Sequence, residues 1–420
     1  LYLDRDGQRL LARLTFVYGD VQLDPLAAAR GGGPERTDRI LMRDGEKESR
    51  VMGLIEQIPF RYDGKTMHLD DEEEIYHFLF HTLPQLHKWT EVYATPEIES
   101  MLEAPPRPPK LSVELDPGTD WLEVRFDMDG IDEDEIRELL RHLVEKKKYY
   151  RMPTGAYVSL EEEGYASIGR ILDEMGVKQG ELNSGRMQLS VARGLRFLDA
   201  DDPSQAVKFG HRFRDMLDNM RNPDRSDFPI PEALAPVLRD YQKYGYQWMK
   251  TLAHYRFGGV LADDMGLGKT LQSIAFLVSE LPDIRRSGQP ALIVCPASLT
   301  FNWWNELRKF APEVRAVVME GDKESRVSML EDLSEVDVLI TSYPLLRRDA
   351  EEIAGQPFSV LILDEAQAIK NHATLTAHSV KDIQAKHRFA LTGTPVENRL
   401  EELWSIFDAV FPELFWNRSR

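Results

Sequence analysis

A glycine-rich run that ends in lysine and threonine is the segment whose residue types suggest chemistry most directly. Residues 266–270 read Gly-Leu-Gly-Lys-Thr, and the two glycines allow backbone N–H groups to turn towards an anion. The lysine can neutralise the outer phosphates of a nucleotide, and the threonine hydroxyl can bind Mg²⁺. The strict phosphate-loop pattern has glycine six residues before the lysine, where this chain has Asp263. The run therefore predicts a phosphate-binding loop with one departure, and an incidental glycine turn before a helix stays the alternative.

A pair of carboxylates follows an apolar segment 95 positions after Lys269. Residues 360–363 are Val-Leu-Ile-Leu, the pattern of a buried strand, and Asp364 and Glu365 come directly after them. A carboxylate at the end of a buried parallel strand can hold Mg²⁺, and its neighbour can orient and deprotonate an attacking water. Alone, such a pair is more often a solvated loop. Together with the phosphate loop, it predicts a nucleotide hydrolase site.

The segments around both motifs are the elements that this chemistry needs. An apolar run at residues 257–262 predicts a strand before the loop, and apolar residues at helical spacing from 271 to 278 predict a helix after it. From Leu234 onward, short apolar strands alternate with helical segments, which predicts an α/β fold with a parallel sheet and helices on both faces. The predicted strands are Gly259–Leu261, Ala291–Cys295, Ala316–Met319, Val336–Thr341, Val360–Leu363 and Arg388–Thr392.

Proline-rich segments divide the rest of the chain. Residues 104–110 predict a stiff linker, and residues 221–236, with four prolines, predict a second one. We therefore expect an accessory region of unassigned fold at 1–103, an α+β accessory domain at 111–220 and an α/β domain at 237–420. The elements predicted before residue 221 are a strand pair within 111–126 and helices at Asp132–Lys148, Ala166–Met175 and Glu72–Leu86.

Composition limits the class of protein. The 420-residue chain is 42% hydrophobic, and no stretch approaches the ~18–20 apolar residues of a membrane span. It opens without a signal segment, and its single cysteine, Cys295, lies in an apolar run that predicts a buried strand. One cysteine suits a reducing compartment, so we expect a cytoplasmic protein, nucleoid-associated if bacterial, without a membrane partner. Because the first residue is leucine, we interpret the sequence as a fragment or a processed form.

The net charge of −19 is concentrated in the first half of the chain. Residues 1–228 contain 45 acidic and 31 basic side chains, whereas residues 229–420 contain 26 and 21. An acidic surface of this kind repels nucleic acid. We therefore expect any nucleic-acid contact to come from a local basic patch or from parts of the protein outside this sequence. The acidic region is expected to regulate, to dock a protein, or to cover a nucleic-acid-binding face as a polyanion mimic.

Six short motifs occur in order in the last 185 or so residues. They read Leu-Arg-Asp-Tyr-Gln at 238–242, Asp-Asp-Met-Gly-Leu-Gly-Lys-Thr at 263–270, Cys-Pro-Ala-Ser-Leu at 295–299 with Trp303 and Glu306, Thr-Ser-Tyr at 341–343, Asp-Glu-Ala-Gln at 364–367 with Ile-Lys-Asn at 369–371, and Leu-Thr-Gly-Thr-Pro at 391–395 with Asn398. This set resembles the first RecA-like lobe of the Swi/Snf-family ATPases, a branch of superfamily-two helicase-like motors. The phosphate loop of that family also has an acidic residue where the strict pattern has glycine, which accounts for Asp263.

The resemblance implies ATP and Mg²⁺ as cofactors and gives each motif a role. Gln242 would contact the adenine edge, and Glu365 would activate water. The residues implied in ATP binding are Arg239, Gln242, Asp264, Met265, Gly266, Leu267, Gly268, Lys269, Thr270 and Gln367. Those implied in catalysis are Lys269, Asp364 and Glu365, with Thr270 and Asp364 as Mg²⁺ ligands. Those implied at nucleic acid are Pro296, Ser298, Trp303, Ser342, Lys370, Asn371, Thr392, Gly393, Thr394 and Asn398.

Some of these residues also have plain structural interpretations. Gln242 could be an ordinary helix-surface residue, and Lys370 a solvated charge. Trp303 and Trp304 are adjacent, so a helix would point them in different directions, one into the core and one towards a surface that could contact nucleic acid.

The resemblance further implies a DNA-dependent ATPase that translocates on double-stranded DNA and remodels or displaces bound proteins, such as RNA polymerase or another DNA-bound protein. Residues before the motor resemble, more weakly, the accessory region of bacterial Swi/Snf-type proteins. Because such motors complete their site with arginines from a second lobe, we expect the fragment alone to bind ATP weakly and hydrolyse it negligibly. The alternatives are a strand-separating or RNA-directed helicase and a non-hydrolysing ATP-sensing scaffold.

Overall fold

A computed structural model of the chain describes residues 1–28, 41–103, 109–117, 121–198, 205–225, 227–262, 268–369, 371, 374–393 and 400–411. The chain divides into two compact units. One comprises Leu1–Ser112, Val124–Met187 and Asp202–Lys208, and the other comprises Val113–Glu123, Gln188–Asp201 and Phe209–Arg420. In these described ranges, no helix is long and apolar enough to cross a membrane.

The N-terminal region is built on a five-stranded sheet with short helices. Its strands are β1 (Tyr2–Asp6), β2 (Arg9–Arg13), β3 (Phe16–Tyr18), β4 (Val21–Leu23), β5 (Arg61–Tyr62), β6 (Met67–Leu69) and β7 (Tyr93–Ala94), and its helices are α1 (Pro25–Ala28), α2 (Gly45–Glu56), α3 (Glu72–His77), α4 (Leu83–Leu86) and α5 (Pro96–Met101). The sheet order is β5-β6-β2-β1-β7, and β3 pairs with β4 in a separate two-stranded sheet. Fully buried Leu3, Leu10 and Phe78 belong to its core.

The helix predicted at residues 72–86 is confirmed in extent but is not one regular α-helix. A single π-helical turn, Phe78–Thr82, separates α3 from α4. Pro84 lies at the start of α4, where its missing N–H and its ring are incompatible with a regular bond to the carbonyl of residue 80. A local change of helical pitch before a proline accommodates that defect. Asp71 begins the segment by accepting bonds from the backbone N–H groups of Glu73 and Glu74.

The next region contains both the strand pair and the two helices that the sequence predicts. Its elements are β8 (Lys110–Leu115), β9 (Trp121–Asp127), α6 (Glu133–Val144), β10 (Tyr149–Arg151), β11 (Tyr157–Ser159), α7 (Glu163–Glu174), β12 (Arg186–Ser190), β13 (Val207–Phe209) and α8 (His211–Arg221). A four-stranded sheet has the order β12-β9-β8-β13, and β10 pairs with β11. Asp132 caps α6, and its buried side chains fall at helical spacing. The domain boundaries near residues 103, 220 and 236 stay predictions.

The last region is a six-stranded parallel sheet covered by helices, as the sequence predicts. Its strands are β14 (Gly259–Leu261), β15 (Ala291–Cys295), β16 (Ala316–Val318), β17 (Val338–Ser342), β18 (Pro357–Leu363) and β19 (Gln384–Leu391), and its helices are α9 (Asp240–His254), α10 (Lys269–Ser287), α11 (Thr300–Phe310), α12 (Lys323–Glu331), α13 (Tyr343–Arg348), α14 (Ala350–Ala354), α15 (Leu375–Lys381) and α16 (Leu400–Val410). The strand order is β14-β19-β18-β15-β17-β16, and the five neighbouring pairs are parallel. The carboxyl ends of these strands therefore meet at one edge.

Two strands begin earlier than the sequence predicts. β18 starts at Pro357 and β19 at Gln384, where the two residues pair in register. Pro357 and Gln384 are exposed, so they fall outside the apolar pattern that predicted the strands. Their backbones nevertheless pair within the sheet. The prediction missed this extension because it followed side-chain burial, whereas the ladder is set by main-chain hydrogen bonds.

His387, on β19, gives the fold a pH dependence. Burial lowers the pKa of His387 to about 4, from 6.5, and the side chain is 6% exposed. Below pH 6.5 the unfolded chain binds a proton at this residue and the folded chain does not, so the folded state loses stability as pH falls from 6.5 to 4. We expect His387→Gln to have a shallower decrease of unfolding temperature over that range, measured by circular dichroism. An unfolding temperature that falls with pH equally in wild type and His387→Gln would contradict this prediction.

Candidate active site

A cavity of about 730 Å³ opens at the carboxyl edge of the parallel sheet. Its walls come from the start of α10, the segment after β18, the start of α9 and one face of α11. The residues that line it are Gln242, Gly268, Lys269, Thr270, Leu271, Leu299, Asn302, Trp303, Glu306, Phe310, Asp364 and Glu365. The structure thus brings the predicted lysine, threonine and carboxylate pair together, at the edge where open α/β sheets bind ligands.

The end of the phosphate loop has a backbone that only glycine adopts easily. Gly268 precedes α10 with φ of 77°, and a Cβ at this position would lie 2.1 Å from Nε2 of Gln242. Lys269 and Thr270 are the first two residues of α10, so the positive end of the helix dipole faces the cavity. The predicted residues Asp264, Met265, Gly266 and Leu267 lie outside the described residues, as does Asp263.

Gly268→Ala is expected to weaken nucleotide binding at least ~10-fold, because the added methyl group would displace Gln242 from the loop. It should also destabilise the fold by about 1 kcal/mol through the left-handed backbone. Gly288→Ala is the matched control, since Gly288 ends the same helix with φ of 67° and no atom within 4 Å of its Cβ position. Titration with a fluorescent ADP and thermal unfolding measure both effects. Equal nucleotide affinity of the two variants would contradict the prediction.

Gln242 connects the start of α9 to the phosphate loop. Its side chain is 5% exposed. Oε1 accepts a hydrogen bond from the backbone N–H of Arg239 at 2.9 Å, and Nε2 donates to the carbonyl of Gly268 at 3.4 Å. The structure therefore rules out the plain interpretation of Gln242 as a helix-surface residue. Contact with adenine, and a role for Arg239 in it, stay predictions.

Asp364 is a partly buried carboxylate held in one orientation. Trp303 Nε1 donates to Oδ2 at 2.8 Å, and the backbone N–H of Glu365 donates to Oδ1 at 2.9 Å. The hydroxyl of Tyr343 donates to the Asp364 carbonyl at 2.7 Å. Burial raises the pKa of Asp364 above its usual value, and the two hydrogen bonds to its carboxylate oppose that rise. The carboxylate is thus fixed both through its side chain and through its backbone.

Glu365 adopts a backbone conformation that is uncommon for a residue other than glycine. Its φ is 46°, which costs about 1–3 kcal/mol and is typical of functional sites. Gln367 Nε2 donates to Oε2 of Glu365, and Thr392 Oγ1 donates to Oε1 of Gln367 at 3.0 Å. A hydrogen-bonded chain therefore runs from the end of β19 to Glu365, which fixes the carboxylate at the cavity.

The oxygen donors at this cavity fit Mg²⁺. Carboxylate and hydroxyl oxygens are the ligands that Mg²⁺ takes in phosphate sites, alongside water and phosphate oxygens. Thr270 and Asp364 supply one of each at the same cavity, and Lys269 adds a cation for phosphate. These three residues thus match the set that the sequence predicts for ATP and Mg²⁺.

The structure also places the residues predicted to contact nucleic acid. Ser298 and Asn371 are exposed, and Pro296 and Gly393 are partly exposed. Three others are buried: Trp303 bonds Asp364, Ser342 caps α13 by accepting from the N–H of Leu345, and Thr392 bonds Gln367. Lys370, Thr394 and Asn398 lie outside the described residues.

Trp303 is the buried member of the tryptophan pair, and its contact with nucleic acid stays a prediction. Its indole is 2% exposed and turns into the cavity, where its N–H donates a hydrogen bond to the carboxylate of Asp364. Trp304 is only partly buried, and the guanidinium of Arg308 lies 4.5 Å from its ring centroid. Ser342 and Thr392 likewise have no exposed side chain in this structure.

Among the cavity residues of α11, the sequence assigned no role to Asn302 and Phe310, and it named Glu306 only as part of the motif with Trp303. Asn302, Glu306 and Phe310 line the cavity beside Trp303. They follow one another at intervals of four residues, so they lie on one helix face. That spacing was visible in the sequence and could have predicted a cavity-lining face once Trp303 was placed.

The parallel sheet, with a loop–carboxylate cavity at its carboxyl edge, is that of a RecA-like fold. Comparison with known families gives the particular group. The family described as "Bacterial SNF2 helicase associated" matches residues 1–231, and the "SNF2-related domain" matches residues 241–420. The chain belongs to the Swi/Snf family of ATPases, in its bacterial form with an N-terminal associated region.

Individual relatives match part of the chain. The TATA-binding protein-associated factor MOT1 of Saccharomyces cerevisiae is 38% identical over 221 residues, covering 50% of this chain and 12% of MOT1. An ATP-dependent helicase of Mycoplasma genitalium is 43% identical over 183 residues, covering 44% and 18%. YwqA of Bacillus subtilis, named as an ATP-dependent helicase/translocase, is 32% identical over 298 residues, covering 68% and 32%. The chain thus spans between about a tenth and a third of these relatives.

Among solved structures, the Sulfolobus solfataricus SWI2/SNF2 ATPase core in complex with double-stranded DNA is 41% identical. That match covers 42% of this chain and 36% of the other, with a TM-score of 0.38.

Proposed function

We propose that this chain carries the ATP-binding lobe of a DNA-dependent ATPase that translocates on double-stranded DNA and remodels or displaces DNA-bound proteins. The observation that carries the proposal is the convergence of Lys269, Thr270, Asp364 and Glu365 on one cavity. Each of these side chains has a defined task in phosphoryl transfer, which depends on positioning and on charge neutralisation.

The residues divide this task among themselves. Lys269 neutralises charge on the terminal phosphates. Thr270 and Asp364 would hold Mg²⁺, which would supply further neutralisation. Glu365 orients the attacking water and accepts its proton. Gln367 and Thr392 fix Glu365, and the strained backbone of Glu365 aims its carboxylate at the cavity.

The names of relatives support DNA as the nucleic acid. One similar protein is a TATA-binding protein-associated factor, and another is the ATPase of an ISWI chromatin-remodeling complex. Both names describe work on proteins that sit on DNA. For this chain we infer the same class of partner, with exposed Ser298 and Asn371 on the DNA-facing side of the motor.

Displacement of a third strand from a DNA triplex tests translocation in the whole protein. ATP should release the third strand, because a motor that moves along duplex DNA removes it without separating the duplex. A strand-separating helicase is the second candidate, since two similar proteins are named as helicases. Unwinding of a forked duplex without triplex displacement would favour it. If the protein binds ATP but does not hydrolyse it with any of the nucleic acids tested, an ATP-sensing scaffold would be favoured.

A further inference from the structure

Trp303 connects α11 to the carboxylate of Asp364. Its indole N–H lies 2.8 Å from Oδ2, and its ring is among the largest fully buried side chains. Both residues line the cavity that Lys269 and Thr270 also line. A hydrogen bond to an ionised carboxylate that is partly shielded from water is among the stronger kinds in proteins.

The two oxygens of Asp364 are held by different parts of the chain. Oδ1 accepts from the N–H of Glu365, its own neighbour, so that bond depends only on the local backbone. Oδ2 accepts from Trp303, 61 positions earlier and on another helix. The rotation of the carboxylate about its side-chain bonds is therefore set by the position of α11. Tyr343 restrains the backbone of Asp364 and does not bond its carboxylate. Trp303 is therefore the distant residue that orients the Asp364 side chain.

The neighbouring tryptophan shows that this contact is specific to position 303. Successive residues on a helix point about 100° apart. Trp304 accordingly has its ring beside the guanidinium of Arg308 and is absent from the cavity lining. The pair therefore supplies a test residue and a control residue of the same type on the same helix.

We propose that Trp303 is a positioning residue that orients Asp364 for Mg²⁺, so that Mg²⁺-dependent nucleotide binding depends on the indole N–H. This inference rests on the proposed function, because it takes Asp364 as a Mg²⁺ ligand. Partners that donate to or accept from a metal ligand commonly change metal affinity by about 10–100-fold when they are removed. Trp303 acts through Asp364 and needs no contact with the nucleotide.

The test compares nucleotide binding with and without Mg²⁺ in the whole protein. The probe is ADP carrying an N-methylanthraniloyl fluorophore, titrated in EDTA and then at increasing Mg²⁺. At position 303, the analogue 3-benzothienylalanine keeps the shape of tryptophan and replaces the N–H with sulfur. Trp303→Phe removes the same donor with a natural amino acid. Trp304→Phe is the matched control, and circular dichroism confirms that each variant folds.

Both variants at position 303 should need at least ~10-fold more Mg²⁺ for half-maximal enhancement of binding, with affinity in EDTA within about twofold of wild type. Trp304→Phe should follow the wild-type curve. A wild-type Mg²⁺ curve for the benzothienyl protein would overturn the inference and leave the proposed function intact. If wild type bound no ADP, or bound it without any effect of Mg²⁺, the proposed function itself would fail, and the inference with it.

Discussion

Replacing Lys269 with alanine is expected to abolish ATP binding at micromolar nucleotide. The ammonium is the only group of this cavity's described lining that carries a full positive charge, and it lies at the start of α10 beside Thr270. Removing it leaves two attractions for phosphate, bound Mg²⁺ and the helix dipole, and the dipole is worth about 0.3–2 kcal/mol. A charge-assisted bond of about 1.5–3 kcal/mol per phosphate contact is lost, so affinity should fall by roughly 10–100-fold or more.

Equilibrium titration with the fluorescent ADP measures this loss. Lys323→Ala is the matched control, because Lys323 forms an exposed ion pair with Glu352 on α14 and lines no part of the cavity. It should bind nucleotide as wild type does, since exposed pairs contribute little. Wild-type affinity in Lys269→Ala would show that phosphate binds elsewhere.

Replacing Glu365 with glutamine is expected to stop turnover while nucleotide binding persists. The amide keeps the size of the side chain and the contact with Gln367, but it cannot accept the proton of water. General bases typically contribute about 10²–10⁴-fold to rate, so kcat should fall by that factor. Binding should stay within about threefold of wild type, because the carboxylate makes no bond that binding of the phosphates requires.

Single-turnover hydrolysis and nucleotide titration on one preparation separate the two effects. Glu335→Gln serves as the control, since that carboxylate is exposed at the surface and pairs with Arg315. Its turnover should match wild type. A normal rate in Glu365→Gln would remove Glu365 from the role of base and point to another group at the cavity.

The parallel sheet was predictable because its inner strands are buried on both faces. Ala291–Cys295 is an unbroken apolar run and is observed with the predicted bounds. β18 and β19 begin earlier than predicted because exposed residues at their starts join the ladder through the main chain. The helix at 72–86 was placed by its pattern, but its π-helical turn depends on how the chain accommodates Pro84.

The candidate site was predictable where one motif determines the chemistry. Lys269, Thr270, Asp364 and Glu365 meet at one cavity, as their positions at strand ends indicate. Which of the two adjacent tryptophans turns into the cavity could not be predicted from sequence. Trp303 differs from Trp304 in its hydrogen bond to Asp364, which only the structure shows. The positive φ of Glu365 and the bond between Gln367 and Thr392 also depend on contacts between segments far apart in the chain.

The steady-state ATPase rate of the whole protein with double-stranded DNA, single-stranded DNA and RNA tests the central claim most directly. The proposed function predicts a low rate without nucleic acid, strong stimulation by double-stranded DNA and weaker stimulation by the other two. The Glu365→Gln protein should show no stimulated rate under any condition. Equal rates with and without double-stranded DNA, or a clear preference for RNA, would contradict the account.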